Sequence, residues 1–304
     1  MSKSWVAFAL MHPHGVIPKS LALPYQLSEG VSLQAAPDCT AIPDVIDGLR
    51  EQVGETIVAD GCHHCIAIEY CSEKSPSQGL GQAPVWSEHD DSEQRIRLAH
   101  LAFWLVRPTA LTFTTVVVAE MHDIAWITAA IHTYGPTYGS GEAAQSELSS
   151  EDLVGVSKTL KALDAVSRGK AIHTAALLIT KALSDPTVEF RSLLMWLAME
   201  SLFGTSDTGE VTFQLAQRVA FFLESDRSKA KETFKLVKAC YDIRSKLVHG
   251  FKVTKISDQK FNEFTLNSET LLRRSLLTIL NDNSTIENID GAGRDSYLNG
   301  LAFK

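Results

Sequence analysis

Between residue 150 and the end of the chain there is one proline, Pro186, whereas prolines at 13, 18, 24, 37 and 43 interrupt the first 45 residues. Proline removes a backbone donor and clashes inside a helix, so its near-absence leaves a long stretch free to be helical. Hydrophobic spacing there predicts helices over Ser150 to Val166, Lys170 to Leu183, Thr187 to Phe203, Glu210 to Glu224, Arg227 to His249 and Asp258 to Leu280. A weaker one is predicted near Arg294 to Leu301. In Thr187 to Phe203 the apolar positions Phe190, Leu193, Leu194, Leu197, Ala198 and Leu202 form a broad stripe, which suits a helix inside a bundle. Asp185 reads as its cap and Pro186 suits its first turn. Gly250 directly after His249 reads as a helix stop.

The first 140 residues read differently, as mixed α and β. Trp5 to Leu10 is a short β-like run, Thr56 to Tyr70 holds apolar and β-branched pieces, and Leu111 to Ala119 is rich in Thr and Val. A helix is predicted from Ser92 to Val106, with Asp91 and Gln94 in capping-box spacing and Pro108 beyond its end. Residues 135–150 (GPTYGSGEAAQSELSS) carry no hydrophobic period, and the domain boundary is placed there. At about 100–200 residues per domain, 304 residues accommodate two. The expected fold class is therefore α+β: a mixed α/β domain at 1–140, a linker at 141–150, and an all-helical bundle at 151–304.

The net charge of −8 argues against a protein that coats nucleic acid without discrimination. From Asp226 to Lys255, however, nine Lys or Arg stand against three Asp or Glu, a local balance of +6. Such a run is either a solvated helix face or a surface that meets phosphates. No run approaches the ~20 apolar residues of a membrane span. The segment Trp5 to Met11 is too short for a secretory leader, and five cysteines are few and odd in number. These features lead us to expect a reduced, cytoplasmic location. Cys62-His63-His64-Cys65 has the spacing of half a zinc site, but a closed site needs four ligands and no second pair lies at a suitable distance. Those residues read better as a strand and its turn. His12, His14 and His89 read as loop residues, and Trp104, Trp126 and Trp196 as core. His122 and Asp123 follow a predicted strand, where a ligand pocket is the weaker alternative. No Walker pattern or G-x-G-x-x-G is present, so no nucleotide cofactor is expected, and no metal.

The segment with the most chemistry in it is Tyr241-Asp242-Ile243-Arg244-Ser245-Lys246-Leu247-Val248-His249-Gly250. Upstream lie Trp196-Leu197-Ala198-Met199-Glu200-Ser201-Leu202-Phe203, then Glu210, then Leu215-Ala216-Gln217-Arg218-Val219-Ala220-Phe221-Phe222-Leu223, then Phe234-Lys235-Leu236-Val237-Lys238. In this order the set resembles the ApeA-like branch of the HEPN families. There an "ALE-x-L" helix, an "L-x-x-R-x-A-x-L-L" helix and a "Y-D-x-R-S-x-x-V-H-G" helix end recur. The resemblance covers about residues 185–280 and does not touch the first 140. Met199 stands where the family often has Leu, a volume-conserving change. Ser245 stands where many HEPN nucleases have Asn, Asp or His.

The resemblance implies a helical bundle with metal-independent endoribonuclease activity on RNA, single-stranded or transfer RNA, and an effector or toxin role in prokaryotic anti-phage defence. It also implies a homodimer whose two motifs line one cleft. The N-terminal domain would then respond to a phage trigger or a regulatory partner. Chemistry agrees with the residue types: RNA carries its own nucleophile, so the enzyme must supply a proton shuttle and a positive charge. Imidazole shuttles protons near neutrality, and guanidinium fits two phosphate oxygens at once. His249 is accordingly the expected acid or base and Arg244 the transition-state stabiliser. Ser245 and Tyr241 are expected as supporting donors, and Glu200 as the group that orients Arg244 or His249. Lys238, Lys246 and Lys252 are expected to follow the RNA backbone. Residues five apart on a straight helix lie about 140° apart around its axis. Either the helix ends before His249, or the pair meets groups of a second chain. The alternative function is a non-catalytic HEPN module that dimerises and regulates a partner. A further alternative makes Tyr241 the acceptor of an inhibitory nucleotide modification.

Overall fold

The computed structural model describes residues 3–12, 17–36, 64–72, 91–108, 111–120, 126–130, 147–185, 187–205, 210–249 and 256–303. The fold is α+β: an antiparallel sheet precedes a series of helices. The chain divides into two compact units, Met1–Asp164 and Ala165–Lys304.

In the first unit, β1 (Lys3–His12), β2 (Tyr25–Ser28), β3 (Val31–Ala35), β4 (His64–Ser72), β5 (Thr112–Glu120) and β6 (Trp126–Ala130) form one sheet in the order β2-β3-β4-β1-β5-β6. Every neighbouring pair is antiparallel, and β1 shifts register between Leu10 and Met11 where it meets β5. Cys65, Ile66, Ala67 and Ile68 are all buried in β4. Successive strand side chains alternate between faces, so both faces of this strand are shielded. The unit's first helix, α1 (Asp91–Val106), contributes Leu101, Phe103 and Trp104 to the core. A second, α2 (Ser150–Ala165), packs beside it closely enough that a Cβ on Gly155 would meet Val106 Cγ1 at 3.2 Å. The Ser157 hydroxyl donates to the Leu27 carbonyl at 2.6 Å, which ties α2 to β2. The division into units thus groups α2 with the sheet, whereas the sequence pattern placed it with the helices that follow.

The second unit is helical. Its elements are α3 (Ala171–Leu183), α4 (Val188–Phe203), α5 (Val211–Leu223), α6 (Arg227–Val248), α7 (Asp258–Leu280), α8 (Asn283–Asp290), α9 (Arg294–Gly300) and a closing 3-10 turn, Leu301–Phe303. Helix α4 touches α3, α5, α6 and α7, which explains why its apolar residues spread around the axis rather than forming a narrow stripe. Trp196 is at its centre, 1% exposed, with its indole N–H donating to Ser268 Oγ on α7 at 2.9 Å.

Most helix starts have a visible cause. Asp226 accepts from the N–H groups of Ser228 and Lys229 at 2.9 Å each, and Ser257 and Asp282 serve α7 and α8 in the same way. One cap differs from the sequence reading. The N-cap of α4 is Thr187, and Asp185 instead accepts the Thr187 N–H at 2.9 Å, holding the turn before the helix. Helix α3 has no side-chain cap of its own. Asp290 at the end of α8 accepts the Ile172 N–H at 3.0 Å, so a residue distant in sequence satisfies that donor.

Several sequence expectations fall outside the described residues: the first half of Thr56 to Tyr70, with Cys62 and His63, and also His14, His89, His122, Asp123, Pro186, Gly250 and Lys252. Cys65 belongs to the buried part of β4 and Cys71 to its exposed end. Among the described residues no helix is long and apolar enough to cross a membrane, and no three His, Cys, Asp or Glu cluster to hold a metal ion.

Candidate functional site

Two helices build the site by simple periodicity. On α4, Trp196 and Glu200 are four apart and share a face; on α6, Tyr241 and Arg244 are three apart and share another. The two faces meet. Arg244 Nη2 lies 2.8 Å from Glu200 Oε1 and 3.0 Å from Glu200 Oε2, so one guanidinium nitrogen bridges both carboxylate oxygens. The Tyr241 ring stands edge-on to Trp196 at 5.8 Å, with an interplanar angle of 85°. Its face carries the Arg244 guanidinium 5.3 Å from the ring centre. Burial, and then the Glu200 charge, push the Tyr241 phenol above its usual range, so it stays protonated and keeps a hydrogen to donate.

Arg244 is only partly withdrawn from solvent: its side chain is 16% exposed and that of Glu200 24% exposed. The Arg244 Nε is buried and makes no hydrogen bond among the described residues. Ser245 is half-buried. Its carbonyl accepts the His249 N–H at 3.1 Å, which closes the last turn of α6.

The helix ends at Val248, with His249 as its C-cap at φ −85°, ψ 7°. His249 is exposed, whereas Thr233, Val237 and Cys240 lie on the buried side of the same helix. Arg244 shares that buried side, because it lies within about 60° of all three around the axis, while His249 is about 140° away. Within one chain, then, Arg244 faces α4 and His249 faces solvent.

The lysines fall on the outer side with His249. Lys231, Lys235, Lys238 and Lys246 lie within about 60° of His249 around the α6 axis and are all exposed. Asp242, also exposed, interrupts them. Lys238 rests its ammonium over the Phe234 ring at 5.8 Å. The basic run is therefore a stripe that leads to His249, about 120–160° away from Arg244 in the case of Lys238 and Lys246.

Residues of α4 and α5 that support this arrangement were less visible in the sequence. Trp196 reads as core, and it is; it also supplies the edge against which Tyr241 stands. The spacing of Trp196 and Glu200 was the available signal. Arg218 on α5 is 2% exposed and holds the end of α4. Its Nη1 donates to the carbonyls of Gly204 at 2.7 Å and Phe203 at 3.2 Å, and its Nε donates to Asn299 Oδ1 at 3.1 Å. Nη1 also pairs with Asp295 Oδ1 at 3.0 Å. Gly204 suits its place, since a Cβ there would stand 2.3 Å from the Glu200 carbonyl oxygen. The turn that carries Glu200 is thus fixed from behind by Arg218.

Scans against protein-family models and searches of curated proteins and of solved structures return no match to this chain, so the reading of the site rests on its motifs and geometry.

Proposed function

We propose that the chain is a metal-independent endoribonuclease of the ApeA-like HEPN type, acting as an effector in prokaryotic anti-phage defence. The observation that carries the reading is the Arg244 guanidinium, pinned by Glu200 and Tyr241 yet still reached by solvent, five residues before an exposed imidazole at a helix end. His249 takes the proton from a ribose 2′-hydroxyl, or returns one to the leaving 5′-oxygen. The 2′-oxygen attacks the adjacent phosphorus, the bond to the 5′-oxygen breaks, and a 2′,3′-cyclic phosphate and a 5′-hydroxyl result. Arg244 meets the charge that builds on the phosphoryl oxygens, the largest contribution such a site makes. Glu200 sets the plane of its guanidinium. Tyr241 and Ser245 are the supporting donors, and Lys238, Lys246 and Lys252 guide the strand.

Because Arg244 and His249 diverge around α6, the reading includes a homodimer in which each cleft draws on both chains. Phe190 and Leu197 on α4 and Val248 on α6 leave apolar side chains at the surface, which suits such a face. The sheet unit would then receive the trigger. The test is to incubate purified protein with total RNA and with transfer RNA in EDTA, beside His249→Ala. Cleavage by the wild type alone supports the reading, and equal cleavage by both removes it. Light scattering on the active species should give two chains.

The Glu200–Arg244 pair also favours a second reading, because a partly buried ion pair is an ordinary way to join two helices. In that case the bundle is a dimerisation and interaction module. A dimer that neither cleaves nor binds RNA, and that co-purifies with a partner, would establish it.

A further inference from the structure

Three helices of the second unit meet at one indole. Trp196 on α4 is 1% exposed, and its N–H donates to Ser268 Oγ on α7 at 2.9 Å. Ser268 is buried too, and its hydroxyl donates to the Phe264 carbonyl one turn earlier at 2.6 Å. The single hydrogen of that hydroxyl is thus in use, and its oxygen is left to accept. The indole also stands edge-on to Tyr241 on α6 at 5.8 Å, and the Tyr241 ring carries the Arg244 guanidinium 5.3 Å from its centre. We infer that Ser268 and Trp196 are positioning residues for Arg244, acting through the Tyr241 ring; this inference rests on the nuclease reading.

Each link has a physical cause. Turning the indole over would take its N–H away from Ser268 and leave a buried donor with neither protein nor water. The hydrogen bond therefore selects one orientation of the ring, and with it the edge that meets Tyr241. In a T-shaped pair the positive edge of one ring is drawn to the negative face of the other, so fixing one ring orients its neighbour. The Tyr241 face then attracts the guanidinium. Cys240, the residue before Tyr241, is buried against the same Ser268 hydroxyl, which ties α7 to this part of α6 directly.

Arg244 needs such a second surface. Glu200 holds it through one nitrogen, Nη2, whereas a fork of two nitrogens on two oxygens would hold the group at both ends. The Tyr241 ring limits how far the other end swings. Trp196 and Glu200 are one turn apart on α4, so one helix sets both limits, the first through Tyr241 and the second by contact. Loosening the chain from Ser268 leaves the lysine stripe untouched and disorders the group that meets charge developing only in the transition state. Such a change lowers kcat and leaves KM nearly constant.

The experiment measures kcat and KM on a single-stranded RNA for the full-length wild type, Ser268→Ala, Trp196→Phe and the double variant, with the melting temperature of each. Ser268→Ala is expected to lower kcat about 10-fold, short of the ~100-fold that a full ångström of misplacement costs. KM should stay within about twofold. Phenylalanine has no N–H for Ser268 to orient, so Ser268→Ala should lower kcat no further once residue 196 is Phe. Ser268→Thr, which keeps the hydroxyl, should retain kcat. A lower melting temperature with unchanged kcat, or losses from the two substitutions that multiply, would overturn the inference. Should Ser268→Ala not fold, Trp196→Phe carries the test, and an unchanged kcat there overturns it equally. If the wild type cuts no RNA, the nuclease reading falls and this inference with it; if it cuts and the two losses multiply, the inference alone falls.

Discussion

Two arginines in the helical unit make the same kind of contact and lead to opposite conclusions. Arg218 is 2% exposed, and its donors go to two backbone carbonyls, an amide oxygen and a carboxylate. Arg244 is 16% exposed, shares one carboxylate with a tyrosine face, and keeps a buried Nε without a hydrogen bond among the described residues. A guanidinium that is almost wholly buried and holds four acceptors of the fold belongs to the architecture, because a ligand would have to displace those bonds. One that is held in place yet keeps solvent contact is, on the proposed nuclease reading, placed to meet an anion. Number of partners, rather than presence of a salt bridge, separates the two.

The sharpest challenge to that comparison is at the imidazole that the proposed reading pairs with the second arginine. His249→Ala should lower RNA cleavage about 10²- to 10⁴-fold, the usual share of general acid–base catalysis. Because His249 is exposed at a helix end, its unfolding free energy should move by no more than about 0.5 kcal/mol. A large loss of stability with no loss of cleavage would reverse the assignment. Arg218→Met should do the opposite. Two backbone carbonyls lose a donor in the core, so stability should fall by about 2–4 kcal/mol in a urea titration. Arg244→Met, in contrast, should cost about 1 kcal/mol, since its carboxylate partner can turn to water.

A third arginine sharpens the comparison through pH. Arg191 on α4 is buried, donates to the Asp185 carbonyl at 2.8 Å, and sets its charge against Glu269 on α7. Burial pushes the Glu269 carboxyl up to about 7, with Arg191 and Arg273 opposing the shift. The folded state therefore holds the proton more tightly than the unfolded chain. The contribution of Glu269 to stability should be fully present at and below about pH 4.5, the ordinary value for this group, and should be lost as pH rises toward about 7. The slope should be on the order of 1 kcal/mol per pH unit, and Glu269→Gln should remove it. A slope that survives the substitution would mean another group is responsible.

The smallest effect is on the outer stripe of α6. Removing Lys238 and Lys246 together should leave folding unchanged and reduce the salt dependence of single-strand binding by about 1.4 in log–log slope, near 0.7 per phosphate contact. An unchanged slope would return both lysines to the role of a solvated face.

Periodicity and caps made the helices legible. The run Asp258–Leu280 was bounded by its sequence pattern at both ends, and the ends of α3 through α6 moved by at most a residue. Local signals sufficed there because helix formation depends on contacts three and four residues apart. The short strands β2 and β3 and the helix α8 carried no comparable pattern. A four-residue strand has too few alternations to stand out, and its identity comes from the partner it bonds to. The sequence offered no cap for α3, whose partner Asp290 lies far along the chain, and the cap assigned to α4 moved from Asp185 to Thr187.

The order and type of residues around Tyr241 to Gly250, and the helical character of everything near them, follow from the sequence alone, since both are set by neighbours along the chain. Only the tertiary structure decided that Glu200 meets Arg244, that Arg218 is consumed in holding α4, and that His249 turns outward with the lysines. Those outcomes depend on which helix faces pack together. That choice is made by the burial of whole surfaces, and no local spacing encodes it.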